Sequence, residues 1–221
     1  MSIDSWVPAA LCAGVLGWVG PHVIARLPAS KDAGPETPGY RSISDVHWLS
    51  AWLSLAAIVL VTVVNFAVPA RLLPAWVILC GAGIWLAYVD WRTQLLPTRI
   101  IVPVSVAVFA AVAVESWLAS DWRILLRAVI ASLIAFGVFW LFWWVGELWR
   151  AGGFGYGDVR FAAPLGLVLG SGSGWAVLVG LYIGIILGAI AGLVMKARGQ
   201  GGSFALGPWL LLGAVLAPVV T

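Results

Sequence analysis

Eight apolar runs divide this chain, and they constrain its fold more than any other feature. They lie at 5–27, 48–68, 72–90, 97–118, 122–146, 156–171, 173–196 and 203–220. Each approaches the ~20 residues that a helix needs to cross a bilayer. The expected fold is therefore all-α: a polytopic transmembrane helical bundle of about eight spans. A soluble domain is excluded by charge, since 10% of the 221 residues are charged where about 25% is usual. The sixth run is short and glycine-rich, a pattern suited to a segment that tilts, breaks or lines a protein cavity. Breakers and polar groups mark the junctions: Pro28 to Pro38, Pro69 to Pro74, Pro97, Ser120-Asp121, Gly152 to Gly157, Gly170 to Gly174 and Gly199 to Ser203.

The positive charges orient the bundle. Eight spans put both termini on one side. With the N-terminus outside, nine of the twelve Lys and Arg residues fall on the cytoplasmic face: Arg26, Lys31, Arg41, Arg92, Arg99, Arg150, Arg160, Lys196 and Arg198. Arg71, Arg123 and Arg127 fall on the outer face. That asymmetry obeys the positive-inside rule and predicts a multi-pass protein of the cytoplasmic (inner) membrane with extracytoplasmic termini. The first run reaches membrane length without a basic leader, so no removable signal peptide is expected. Of fifteen tryptophans, Trp6, Trp48, Trp76, Trp91, Trp117, Trp122, Trp144 and Trp149 lie near run ends, which suits an interfacial aromatic belt and, equally for any one of them, a place in the bundle core. Residues 28–47 form the longest polar stretch and are expected to be a mobile cytoplasmic loop. The lipid bilayer is an expected partner. Nucleic acid is not, because no basic run exists.

Two carboxylates stand out. Of the nine acidic residues, Asp32, Glu36 and Asp45 belong to the polar loop, and Asp4, Glu115 and Asp121 to the outer face. Glu147 lies three residues from Arg150, a spacing for a local ion pair. Asp90 and Asp158 remain. Asp90 closes the third apolar run and Asp158 opens the sixth. An ionisable residue at such a depth is a functional-site hypothesis by default. A structural alternative exists for each: Asp158 as a helix N-cap, Asp90 as a partner of Arg92 or Arg99. Gly152, Gly153, Gly155 and Gly157 precede Asp158. A cap needs one glycine at most, whereas a loop that admits an extended peptide beside a carboxylate can use several.

Together the two acids suggest a reaction. Two carboxylates at hydrogen-bonding range share a proton rather than both ionising. The ionised member takes a proton from water. The other donates to a scissile carbonyl oxygen and later to the leaving amine, which is general acid–base peptide hydrolysis without a covalent intermediate. Rival chemistries lack parts. His22 and His47 are the only histidines, and neither a Gly-x-Ser-x-Gly elbow nor an HExxH motif occurs. The two cysteines, Cys12 and Cys80, lie singly in apolar runs as packing residues, so no metal site and no cofactor is expected. A carrier is the main rival, but carriers place their acids near mid-span and show internal repeats.

Four blocks then resemble the type IV prepilin peptidases, polytopic aspartyl peptidases of the inner membrane. Gly155-Tyr156-Gly157-Asp158-Val159-Arg160, with Phe161 to Gly166, resembles the family's GxGD block and its small-residue continuation. Asp90 to Pro97 resembles the segment around the first catalytic aspartate. Gly17 to Pro28, ending Ile24-Ala25-Arg26-Leu27-Pro28, is similar to the family's N-terminal segment, and Leu206-Gly207-Pro208-Trp209-Leu210 to the start of its last helix. The resemblance implies removal of leader peptides from type IV prepilins, or from prepilin-like (pseudopilin) secretion proteins, at the cytoplasmic face. It implies Asp90 and Asp158 as the catalytic pair. Gly155, Tyr156, Gly157, Arg160 and Pro97 would shape the substrate site, in one membrane domain over 1–221 whose catalytic core is 72–221.

The chain also departs from the pattern. Arg160 stands where lysine is common, and Thr98 where Asn or Asp is frequent. Bifunctional members carry two CxxC pairs in the first cytoplasmic loop and N-methylate the new pilin N-terminus, but residues 28–47 hold no cysteine. Peptidase activity without the zinc-dependent loop is therefore expected. The alternatives are a bifunctional peptidase and N-methyltransferase, or a non-enzymatic or transport protein on the same bundle.

Overall fold

The computed structural model describes residues 3–30, 34, 37–148, 155–199 and 204–221. Among these the chain is helical, with no strand. The elements are α1 (Ile3–Ala25), α2 (Tyr40–Ser44), α3 (Leu49–Asn65), α4 (Leu73–Thr93), α5 (Thr98–Leu118), α6 (Trp122–Leu148), α7 (Tyr156–Gly172), α8 (Gly174–Ala197) and α9 (Gly207–Val220). A 3-10 turn at Ala70–Leu72 leads into α4.

All eight apolar runs are helical, but their lengths differ. Among the described residues five segments are long and apolar enough to cross a membrane: Trp6–Ala25, Ala70–Thr93, Thr98–Leu118, Trp122–Leu148 and Gly174–Ala197. α3 and α7 have 17 residues each and α9 has 14. α3 stops at Asn65 before Pro69, and Pro208 fixes the start of α9. Proline supports a first helical turn and interrupts an interior, so these residues set where both helices can run.

Side-chain pairs give the directions of the helices. Trp6 Nε1 donates to Thr62 Oγ1 and Ser54 Oγ donates to the Gly14 carbonyl, so α1 and α3 are antiparallel. Arg71 pairs with Glu115, which sets the start of α4 beside the end of α5. Ser132 Oγ donates to the Ala163 carbonyl, and a Cβ on Gly170 would touch Ala128, so α6 and α7 are antiparallel. Gly184 faces Leu210 and Gly188 faces Leu206, so α8 and α9 are antiparallel too. α1 runs parallel to α4, because a Cβ on Gly81 would meet Leu16 and a Cβ on Gly20 would meet the Trp85 ring. Successive long helices therefore alternate. One end of the bundle collects the last turns of α1 and α4 with the first turns of α5, α7 and α9.

α4 is the central helix. Of its apolar window 78% is buried, against 28–39% in the other four full-length segments. It packs on α1, α3, α5, α7 and α9. Gly81 and Gly83 let Leu16 and Leu211 approach its backbone. Its C-cap, Gln94, takes the left-handed conformation at φ 56 and donates its N–H to the Asp90 carbonyl. The outer helices present Leu11, Trp18, Trp52, Val106, Leu133 and Leu193 to the surroundings. This apolar exterior is that of an integral membrane protein.

Three sequence expectations change in detail. Trp76 is 1% exposed, so it fills the core instead of joining an interfacial belt, whereas Trp48, Trp91, Trp117 and Trp122 are exposed. The end of the polar 28–47 stretch carries α2, with Tyr40 and Ile43 buried. The Tyr88 hydroxyl donates to the Ile43 carbonyl at 2.7 Å and fixes α2 against α4. Cys80 is buried and Cys12 exposed, both as free thiols. The Glu147–Arg150 pair and Gly152, Gly153 and Trp149 fall at or beyond the edge of the described residues.

Candidate active site

Asp90 and Asp158 meet at the end of the bundle that collects the α4 C-terminus and the α7 N-terminus. Asp90 lies in the last turn of α4 and is 4% exposed; Asp158 lies in the first turn of α7 and is 8% exposed. α4 packs on α7, and Gly157, the residue before Asp158, packs on Leu96 just beyond the last turn that carries Asp90. Burial among apolar helices removes the water that would otherwise screen such a pair.

The local sequence sets this meeting. Gly157 packs against the α4–α5 connection so closely that a Cβ would stand 2.6 Å from Leu96 Cβ. A glycine is needed where a backbone must come this near a side chain. Arg160 Nη1 donates to Thr98 Oγ1 at 2.5 Å, which ties the second turn of α7 to the start of α5. The Arg160 guanidinium also lies 4.4 Å from the Tyr156 ring centroid, within cation–π range. Tyr156 meets Trp143 edge-on at 5.0 Å. Pro97 is the N-cap of α5, and its carbonyl accepts the N–H groups of Ile100 and Ile101. Residues 155–160 and 96–98 are thus one docked unit, and it includes every residue expected from sequence to shape the site.

The structural alternatives for the two acids do not hold. The N-cap of α7 is Gly155, without a side-chain cap bond, and Asp158 comes three residues later. Asp90 makes no ion pair with Arg92 or Arg99; among the described residues the ion pair is Arg71 with Glu115. Instead Oδ2 of Asp90 accepts the backbone N–H of Gly207 at 2.8 Å. Oδ1 of Asp158 is buried and has no hydrogen-bond partner among the described residues. Buried polar atoms are nearly always satisfied, so an orphan carboxylate oxygen marks a place for a proton, a water or a substrate atom.

Sequence reasoning missed the contact from Gly207. The signal was a Gly-Pro pair opening an apolar run, but a main-chain donor has no side chain to advertise it. Among the described residues no three His, Cys, Asp or Glu side chains gather as metal ligands would. A groove of about 320 Å³ lies beside the docked unit, lined by Leu27, Pro28, Ser30, Tyr40, Pro97, Thr98 and Arg99. A separate cavity of about 220 Å³ opens at the opposite end, near Arg71, Arg127 and Ser171.

Residues 77–195 match the model of the type IV leader peptidase family. The chain is 32% identical over 124 residues to a protein of Burkholderia pseudomallei (strain K96243) named "Prepilin leader peptidase/N-methyltransferase", an alignment covering 55% of this chain and 37% of that one. It is 28% identical over 141 residues to the Escherichia coli (strain K12) protein of the same name, covering 59% and 56%. The chain therefore spans between about a third and somewhat over half of the length of these curated relatives. No solved structure matches.

Proposed function

This chain belongs to the type IV leader peptidase family, and on that premise we propose that it is an aspartyl endopeptidase of the inner membrane. It removes the leader peptides of type IV prepilins or prepilin-like secretion proteins at the cytoplasmic face. Asp90 and Asp158 are its catalytic pair. The observation that carries this reading is the juxtaposition of two buried carboxylates, one of them with an oxygen free of partners among the described residues.

The pair works with one proton between its two carboxyl groups. Water adds through its oxygen to the scissile carbonyl carbon. The ionised carboxylate takes one proton from that water as the protonated carboxyl gives its own to the carbonyl oxygen. The resulting gem-diol collapses: the C–N bond breaks and the nitrogen takes the proton that had come from water. A diol hydroxyl returns a proton to the other carboxylate, and the pair regains its starting state. No covalent intermediate forms.

Position supports the same substrate. The groove at Pro97, Thr98 and Arg99 reaches the docked unit that carries Asp158, so an extended peptide entering there passes toward the carboxylates. The named relatives join a methyltransferase to the peptidase. Residues 28–47 of this chain hold no cysteine, which favours peptidase activity alone.

The test is prepilin conversion by membranes carrying the wild type, Asp90→Asn or Asp158→Asn. Both substitutions are expected to stop conversion. Processing retained by each single variant would overturn the dyad. The mass of the mature pilin N-terminus, measured on the same product, reads methylation directly, and no added methyl is expected.

A further inference from the structure

The two carboxylates sit in unlike surroundings, and the first turn of α9 makes the difference. The opening amides of a helix lack intrahelical acceptors. In α9, Pro208 has no N–H, while the Trp209 and Leu210 N–H groups both go to the Leu206 carbonyl. The Gly207 N–H is left, and it goes to Asp90 Oδ2 at 2.8 Å in a buried setting. A donated N–H favours the ionised form of a carboxylate, and the positive end of a helix adds to that preference. Asp158 stands at a helix start too, but its Oδ1 accepts nothing among the described residues, and its own N–H is directed to the Gly155 carbonyl.

Glycine is required at position 207 by space as well. A Cβ there would stand 2.9 Å from Asp90 Oδ2 and 3.4 Å from its Cγ. Any larger residue pushes the carboxylate off its donor. None of the Lys and Arg residues of this end, Arg92 on α4, Arg99 on α5 and Arg160 on α7 among them, forms an ion pair with Asp90 among the described residues.

We infer that Gly207 is the positioning residue of the pair: its N–H holds Asp90 as the ionised, water-activating member and leaves Asp158 to carry the shared proton. This assignment rests on the peptidase reading above and adds an order of roles to it.

The experiment uses the full chain in detergent micelles, a synthetic prepilin-type peptide, and the same peptide with a hydroxyl-bearing carbon in place of the scissile amide. Gly207→Ala is expected to lower kcat roughly ten- to hundredfold, the worth of a hydrogen bond to a charged group. KM should stay within about twofold, because substrate binding does not use this bond. Affinity for the hydroxyl peptide should fall by the factor seen in kcat. Gly83→Ala perturbs the same α4–α9 seam, where a Cβ meets the flexible tip of Leu211 at 2.9 Å, and should leave kcat unchanged. Equal loss in both alanine variants, or no loss in Gly207→Ala, would overturn the role of Gly207.

The asparagine variants test the roles separately, even if Gly207→Ala does not fold. The side-chain amide of Asp158→Asn still offers a neutral donor, so this variant should keep the hydroxyl peptide bound within about tenfold of wild type while turnover is lost. Asp90→Asn should lose both. The reverse pattern would exchange the roles. Continued processing by both asparagine variants would instead remove the peptidase reading itself.

Discussion

A Cβ on Gly157 would stand 2.6 Å from the Cβ of Leu96, and this contact holds the first turn of α7 against the α4–α5 connection. Asp158 follows Gly157 directly, so the packing of a glycine fixes the position of a carboxylate. Gly157→Ala should displace that turn. Positioning errors of about 1 Å can cost about a hundredfold in rate, and leader removal by this variant is expected to fall by at least about tenfold. Gly137→Ala is the contrast. Nothing lies within 4 Å of a Cβ at Gly137 in α6, so this variant should process normally and gain up to ~1 kcal/mol from helix propensity. Initial rates and thermal midpoints in one detergent check both.

The orphan oxygen of Asp158 separates function from stability. A buried carboxylate oxygen without a donor contributes nothing to folding that a neutral isostere would lose. Asp158→Asn is therefore expected to unfold at the same temperature as the wild type or higher, with leader removal abolished. A clear drop in thermal midpoint would mean that Asp158 holds the bundle together, and would count against a catalytic role.

A dyad also fixes the form of the pH profile. With both carboxyls protonated no base remains, and with both ionised no acid remains. Leader removal should therefore pass through a maximum and fall on either side. The two limbs belong to the pair and not to one residue each. Measuring kcat across pH with the synthetic peptide checks this; a profile with a single limb would show that one carboxyl works alone.

Asp90 and Asp158 stood out in the sequence because each is joined directly to a membrane-length apolar run. The alternating helices collect both acids at one end of the bundle. Other features were hidden for physical reasons. Gly207 acts through its main chain, which no residue pattern advertises. Trp76 lies near a run end, as belt tryptophans do, yet packing buries it completely. α2 is five residues long, too short for any periodicity to register, and holds its place through Tyr88 in a distant helix.

The α6–α7 seam should tolerate little change. A Cβ on Gly166 would lie 2.7 Å from Ser132 Cα and 2.8 Å from the Ala131 carbonyl oxygen. These are backbone atoms and cannot rotate away. Gly166→Ala is expected to destabilise the protein by about 1–3 kcal/mol, the usual effect of overpacking. The loss should appear in the thermal midpoint first. Since the seam carries α7 from Asp158 to the opposite end, leader removal should fall at elevated temperature before it falls at the growth temperature.

Arg160 makes the last testable link. Its guanidinium reaches Thr98 Oγ1 and lies over the Tyr156 ring, so one side chain braces α7 against α5 beside the carboxylate pair. Arg160→Lys keeps a cation of similar reach that can serve Thr98 or the ring, so it should retain most of the activity. Arg160→Ala removes both contacts and frees the first turn of α7. Its expected cost is roughly tenfold in kcat/KM, about 1.4 kcal/mol, in line with one charge-assisted hydrogen bond. Thr98→Val removes the acceptor alone and should produce a smaller loss. If Arg160 served only to bind substrate, Thr98→Val would leave kcat/KM untouched while Arg160→Ala raised KM; the bracing role requires the two losses to overlap in the double variant, where they should add to less than their sum.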